Sequence, residues 1–174
     1  MDVTECLRTR LTIRAFRPDP VPAEVVQKIL EAGRLAPSSR NLQPWHFIVI
    51  RDPDTLRAIG AVATSGRFVA DAPMAIAIAM ENADRPELDA GRVLQQMEMA
   101  AWSEGLGTCF VGLRVADQNR QVKELLGIPD QIELITVLPF GYRPQGMRGA
   151  GRKQRKSLDE VAHGEQFGQR YESG

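Results

Sequence analysis

The sequence predicts a mixed α and β fold, and three features of its patterning carry that prediction. Segments with apolar residues at helical spacing alternate along the chain with short apolar runs of strand length. Two of those runs, 46–50 and 74–80, are apolar on both faces, which suits internal strands. Proline, glycine and capping residues fall at the joints between segments. Periodicity alone leaves a doubly wound sheet and an α+β arrangement both open.

Residues 3–9 read as a short helix. Residues 10–16 (Arg-Leu-Thr-Ile-Arg-Ala-Phe) alternate polar and apolar, the mark of an extended segment with two distinct faces. Pro22 suits a helix start, and Val25, Val26, Ile29, Leu30 and Gly33 recur at helical spacing until Pro37 stops the run. A polar loop over 38–44 precedes the first strand. Asp52 and Pro53 then supply a cap and first turn for a helix to about Ala63. In the second strand Ala75, Ala77 and Ala79 share one side, where something bulky should approach closely.

Glu87 to Glu104 is the longest helical candidate, and its apolar residues spread over more than one face. Such a helix is either central or covered by a partner subunit. Gly105 and Gly107 end it, and 108–111 reads as a short strand. Asp117 is placed to cap a helix that stops at Gly127, and 132–140 is a further strand. A connection bearing Gly, Arg and Pro follows over 141–156. Ser157 and Glu160 then form a capping-box pattern that opens a last short helix.

Composition narrows the function. Lys and Arg number 22 against 22 for Asp and Glu, so the basic excess of a general nucleic-acid binder is missing. Cys6 and Cys109 stand far apart and form no CxxC pair, and two histidines are few for a zinc site; no metal is expected. The first residues are acidic where a signal peptide is basic, and no apolar run reaches about 18 residues. These features suggest a cytoplasmic protein without a membrane segment.

Four clusters could carry chemistry. Arg10, Thr12 and Arg14 are two apart, so an extended backbone points them the same way, and guanidinium forks suit a phosphate. Lys153, Arg155 and Lys156 form a second basic group near the other end of the chain. The loop from Pro37 to Trp45 is rich in amides and hydroxyls that can match a heterocycle. Residues 105–112 begin a GxG, but Phe110 occupies the third glycine's place and a helix precedes it, which disfavours a dinucleotide fingerprint. Taken singly, each cluster is also what a solvated surface or a tight turn would present. No nucleophile triad or acid/base pair stands out, so no catalytic side chain is assigned, and the pattern favours chemistry done by a cofactor.

Read together, five segments resemble the FMN-dependent nitroreductase family in order and spacing. They are 10–16, 36–47 (Ala-Pro-Ser-Ser-Arg-Asn-Leu-Gln-Pro-Trp-His-Phe), 105–112, Pro139-Phe-Gly-Tyr142 and 155–161. The resemblance covers nearly the whole chain. It implies an α+β fold, a central, mostly antiparallel sheet flanked by helices, built as an intimate homodimer with FMN at the interface. The chain would be a single domain, 1–174, whose segment from about 143 extends over the subunit or its partner. Arg10, Thr12 and Arg14 would hold the FMN phosphate and ribityl chain, joined by Lys153 or Arg155. Pro37, Ser38, Ser39 and Asn41 would reach the flavin of the other subunit, with Gly107 and Thr108 lining the cofactor site. The 87–104 helix would lie in the dimer core.

The implied reaction is ping-pong, with hydride passing from NADH or NADPH through flavin N5 to a nitroaromatic, quinone-like or related electron-poor acceptor. Some relatives instead dehalogenate, oxidise rings or fragment flavin, and a flavin-binding protein without turnover is the alternative from another class. Leu11, Arg40, Arg143 and Gly164 depart from the family pattern, and Thr12 replaces the commoner Ser.

Overall fold

The computed structural model describes residues 1–113, 115–146 and 154–172. Helix α1 (Val3–Thr9) is capped by the Asp2 carboxylate, which accepts from the Glu5 N–H at 2.8 Å. Helix α2 (Ala23–Arg34) follows Pro22, and a single 3-10 turn at 39–41 lies in the polar loop. Strand β1 (Trp45–Ile50) leads to α3 (Pro53–Val62), and a second 3-10 turn at 67–71 precedes β2 (Met74–Met80). Helix α4 (Pro86–Ser103), β3 (Leu106–Thr108), β4 (Val111–Gly112) and α5 (Ala116–Leu126) come next, then β5 (Glu133–Tyr142) and α6 (Leu158–Val161).

The strands form one five-stranded sheet in the order β1-β2-β5-β3, with β4 also on β5, and every ladder is antiparallel. That resolves the open choice in favour of α+β. Helices cover both faces. On one side α2 and α4 pack Val25, Val26, Ile29, Val93 and Met97 against Met74, Ile76 and Ile78 of β2. On the other, Leu56 and Ile59 of α3 and Val122 of α5 meet Ala75 and Ala77. The small residues therefore serve close helix packing.

The structure corrects three details of the sequence reading. Strand β1 is an edge strand, not an internal one. Its two-sided apolarity arises because both sheet faces carry helices: Trp45 and Phe47 join one core, Ile48 and Ile50 the other. The expected strand 108–111 is broken in two. The break at Cys109 and Phe110 falls opposite Leu138 and Pro139, where proline has no N–H to give a ladder. Residues 10–16 are extended, as expected, and are joined to the sheet by an isolated parallel bridge, Thr12 to Thr108. Asp117 lies inside α5, whose N-cap is Val115; its carboxylate binds Arg120 and Gln121 instead.

Helix α4 buries Ala90, Val93, Met97, Ala101 and Trp102 within its own subunit, so much of its broad apolar surface is used inside the protomer. Its C-terminal end is tied to α1. The Trp102 indole donates to Thr9 Oγ1 at 2.9 Å, and the Arg143 guanidinium lies 3.8 Å from the Trp102 ring centroid while donating to the Gly105 carbonyl. Burial pushes the Arg143 pKa below its ordinary value. This residue, unusual for its motif, acts as a cation–π cover on a buried indole. Among the described residues, no helix is long and apolar enough to cross a membrane.

One pH effect arises here. Asp52 caps α3 and accepts from both the N–H and the hydroxyl of Thr55, which lowers its pKa. Because the folded value is depressed, the cap's contribution is complete above the ordinary Asp range and lost as pH falls through the lowered value. Asp52→Asn should therefore flatten the acid limb of the thermal-stability profile. An unchanged limb in a melting series over that range would contradict the capping role.

Candidate functional site

The segment after α1 is built to present polar groups. The Arg10 N–H closes α1 on the Cys6 carbonyl at 2.9 Å, and the Ile13 N–H binds the Thr108 carbonyl at 2.9 Å. Ile13 is buried with Cys6 and Trp102, so the alternation turns Thr12 and Arg14 outward, as the sequence suggested. This close docking depends on Gly107. A Cβ there would stand 2.5 Å from both Cβ and Cγ1 of Ile13. Gly107 thus shapes the site by letting two backbones approach.

The three polar groups do not share one role. Arg10 turns to α4, where its Nη1 lies 3.3 Å from Glu98 Oε2 with both side chains largely buried. Its charge is matched inside the protein. Arg14 makes no ion pair among the described residues. Its guanidinium stands 5.9 Å from the Phe68 ring centroid, beside Cys109. Burial pushes the Cys109 thiol pKa up, and Arg14 offsets part of that rise. Thr108, beneath this segment, is 3% exposed, and its Oγ1 has no hydrogen-bond partner among the described residues.

The loop from Pro37 to Pro44 is a second polar surface, and it is strained. Arg40, Asn41 and Gln43 have φ of 51°, 56° and 50°, a left-handed region that costs non-glycine residues of order 1 kcal/mol or more. Asn tolerates it; Arg and Gln do so only when neighbours hold them. Ser38 Oγ accepts from the Gln43 N–H at 2.9 Å, closing the loop internally. Ser39 donates through N–H and Oγ to Asp89 Oδ1 at 2.9 and 3.1 Å, and Arg40 pairs with Asp84. Pro37 and Asn41 remain exposed.

At the far end, Arg155 is exposed before α6, and no hydrogen bond or ion pair among the described residues joins it to residues 10–14. Lys153 lies outside the described residues. Asp89 was not singled out from sequence. An acid in a helix's first turn is ordinarily a solvated complement to the helix dipole, so its burial left no trace in the pattern.

The sequence model of the Nitroreductase family matches residues 7–77 and 61–142. The chain belongs to the nitroreductase family. A relative from Methanothermobacter thermautotrophicus, named "Putative NADH dehydrogenase/NAD(P)H nitroreductase", is 34% identical over 148 residues, covering 82% of this nitroreductase-family chain and 78% of that protein. The solved structure of an FMN-dependent nitroreductase from Clostridium difficile R20291 superposes with a TM-score of 0.80 at 27% identity, covering 95% of this chain and all of the other. Iodotyrosine deiodinase 1 of Rattus norvegicus is 25% identical over 198 residues, covering 90% of this chain and 67% of that protein. The nitroreductase fold is thereby assigned to this chain.

Proposed function

We propose that this nitroreductase-family protein is an FMN-dependent NAD(P)H oxidoreductase acting on nitroaromatic, quinone-like or related electron-poor acceptors. The observation that carries the reading is Arg14: an outward guanidinium with no ion pair among the described residues, on the segment whose Ile13 N–H binds the carbonyl of Thr108, a buried residue whose hydroxyl has no hydrogen-bond partner among the described residues. A phosphate group and a sugar-like chain match that pair, since a guanidinium favours phosphate and a buried hydroxyl needs a partner.

Thr12 and Arg14 would hold the phosphate and ribityl end, with Arg155 or Lys153 brought up from the C-terminal segment. Arg10, held by Glu98, contributes by orienting the segment more than by direct charge. Pro37, Ser38, Ser39 and Asn41 would cover the ring of a second subunit's flavin. When bound, FMN supplies two-electron hydride chemistry between a nicotinamide and the acceptor. The side chains bind, orient and exclude water, which is the larger part of catalysis when the cofactor carries the reaction.

A homodimer is the working form in this reading. It is supported by apolar side chains left uncovered on α1 and the C-terminal segment: Val3 is 71%, Leu158 76% and Phe167 94% exposed. The chain works as one domain in the cytoplasm, its segment from about 143 onward lying over its own subunit or its partner. Purified protein should be yellow and should bleach on anaerobic addition of NADH or NADPH, then recover with a nitroaromatic or quinone. Colourless protein that ignores added FMN would overturn the proposal.

A further inference from the structure

We propose that Asp89 is a positioning residue for the flavin, acting through Ser39 to set the shape of the loop 38–43; the inference rests on the reading that this loop meets FMN. Asp89 sits in the first turn of α4 and is fully buried. One of its oxygens, Oδ1, gathers three donors: the Ser39 N–H at 2.9 Å, the Ser39 hydroxyl at 3.1 Å and Arg92 Nη1 at 3.0 Å. The other, Oδ2, is buried without a hydrogen-bond partner among the described residues.

A carboxyl group serving only the α4 dipole would do so in water, and one serving only stability would use both oxygens or give way to an apolar side chain. Here it is sunk under a loop 50 residues away in sequence and spends two of three contacts on one serine. The loop needs such an anchor. Among the described residues, side chains beyond the loop that receive hydrogen bonds from 37–43 are Asp89 and Asp84, and the Arg40–Asp84 pair is exposed. Asp89 is therefore the buried fixed point for a run of left-handed residues that presents Pro37, Ser38 and Asn41. Arg92, partly exposed at the next turn, holds the same oxygen from the solvent side.

The test compares wild type with Ser39→Ala, Asp89→Asn and Asp89→Ala. Three quantities are measured: FMN Kd by flavin-fluorescence quenching, the visible circular dichroism of bound flavin, and the Tm of the apo protein. Ser39→Ala should weaken FMN binding at least about tenfold and change the flavin's dichroic bands while apo Tm moves little. Asp89→Asn, which keeps an acceptor oxygen, should lie between wild type and Ser39→Ala. Asp89→Ala should be the most affected; if it does not fold, the other two variants decide. Wild-type affinity and bands in Asp89→Asn would overturn the inference, and a loss confined to Ser39→Ala would mark Ser39 as a flavin contact that needs no help from Asp89. So would losses of affinity that merely track apo Tm across the series. Wild type that binds no FMN sinks the functional reading and this inference together, whereas binding indifferent to Asp89→Asn sinks this inference alone.

Discussion

Arg14→Ala should weaken FMN binding by about ten- to a hundredfold, the worth of one charge-assisted hydrogen bond to an anion. The expected Tm of the apo protein is nearly unchanged. Arg14 is exposed, makes no ion pair among the described residues, and stands 5.9 Å from the Phe68 ring centroid, so its removal leaves no charge stranded. Arg10→Ala should behave differently. It would remove a largely buried 3.3 Å ion pair to Glu98, and part of the damage should appear in stability. The pair of variants separates binding from scaffolding. Equal affinity of wild type and Arg14→Ala, measured by fluorescence titration, would show that the phosphate site lies elsewhere.

Gly107→Ala should be the most disruptive single methyl addition at the site. The new Cβ would meet Ile13 Cβ and Cγ1 at 2.5 Å, well inside contact distance. Overpacking of this kind costs roughly 1–3 kcal/mol, or about 3–10 °C in Tm for a chain of this size. The segment 10–14 would have to lift from β3, breaking the 2.9 Å bond from the Ile13 N–H to the Thr108 carbonyl and moving Arg14 with it. Truncating Ile13 to Ala should not rescue the variant, because the Ile13 Cβ is itself one of the clashing atoms. A variant with wild-type Tm and FMN affinity would mean that the two backbones have slack to part.

What could be read from sequence were properties local to a segment. The capping box at Ser157 and Glu160, the Asp52 cap and the outward alternation of Thr12 and Arg14 are set by neighbours within a few residues, and all are present. Quantities that depend on distant chain were not legible. Whether Trp45–Ile50 is an edge depends on what pairs beside it, and helices on both sheet faces gave it the composition of an interior strand. The break at Cys109 is imposed from across the sheet by Pro139. Likewise Glu98 and Asp89 owe their parts in the site to partners 88 and 50 residues away in sequence, Arg10 and Ser39.

Strand β2 has a consequence for the chain as it is made. Its seven residues, Met-Ala-Ile-Ala-Ile-Ala-Met, are fully buried and carry no polar side chain, the composition of an aggregation-prone ribbon. Strand β1 is already synthesised when it emerges and can zip onto one side. The other side waits for β5, more than 50 residues later. Through that interval Asp71 and Pro73 before it and Glu81 after it stand as gatekeepers against pairing with a foreign strand, a safeguard that the finished sheet no longer needs.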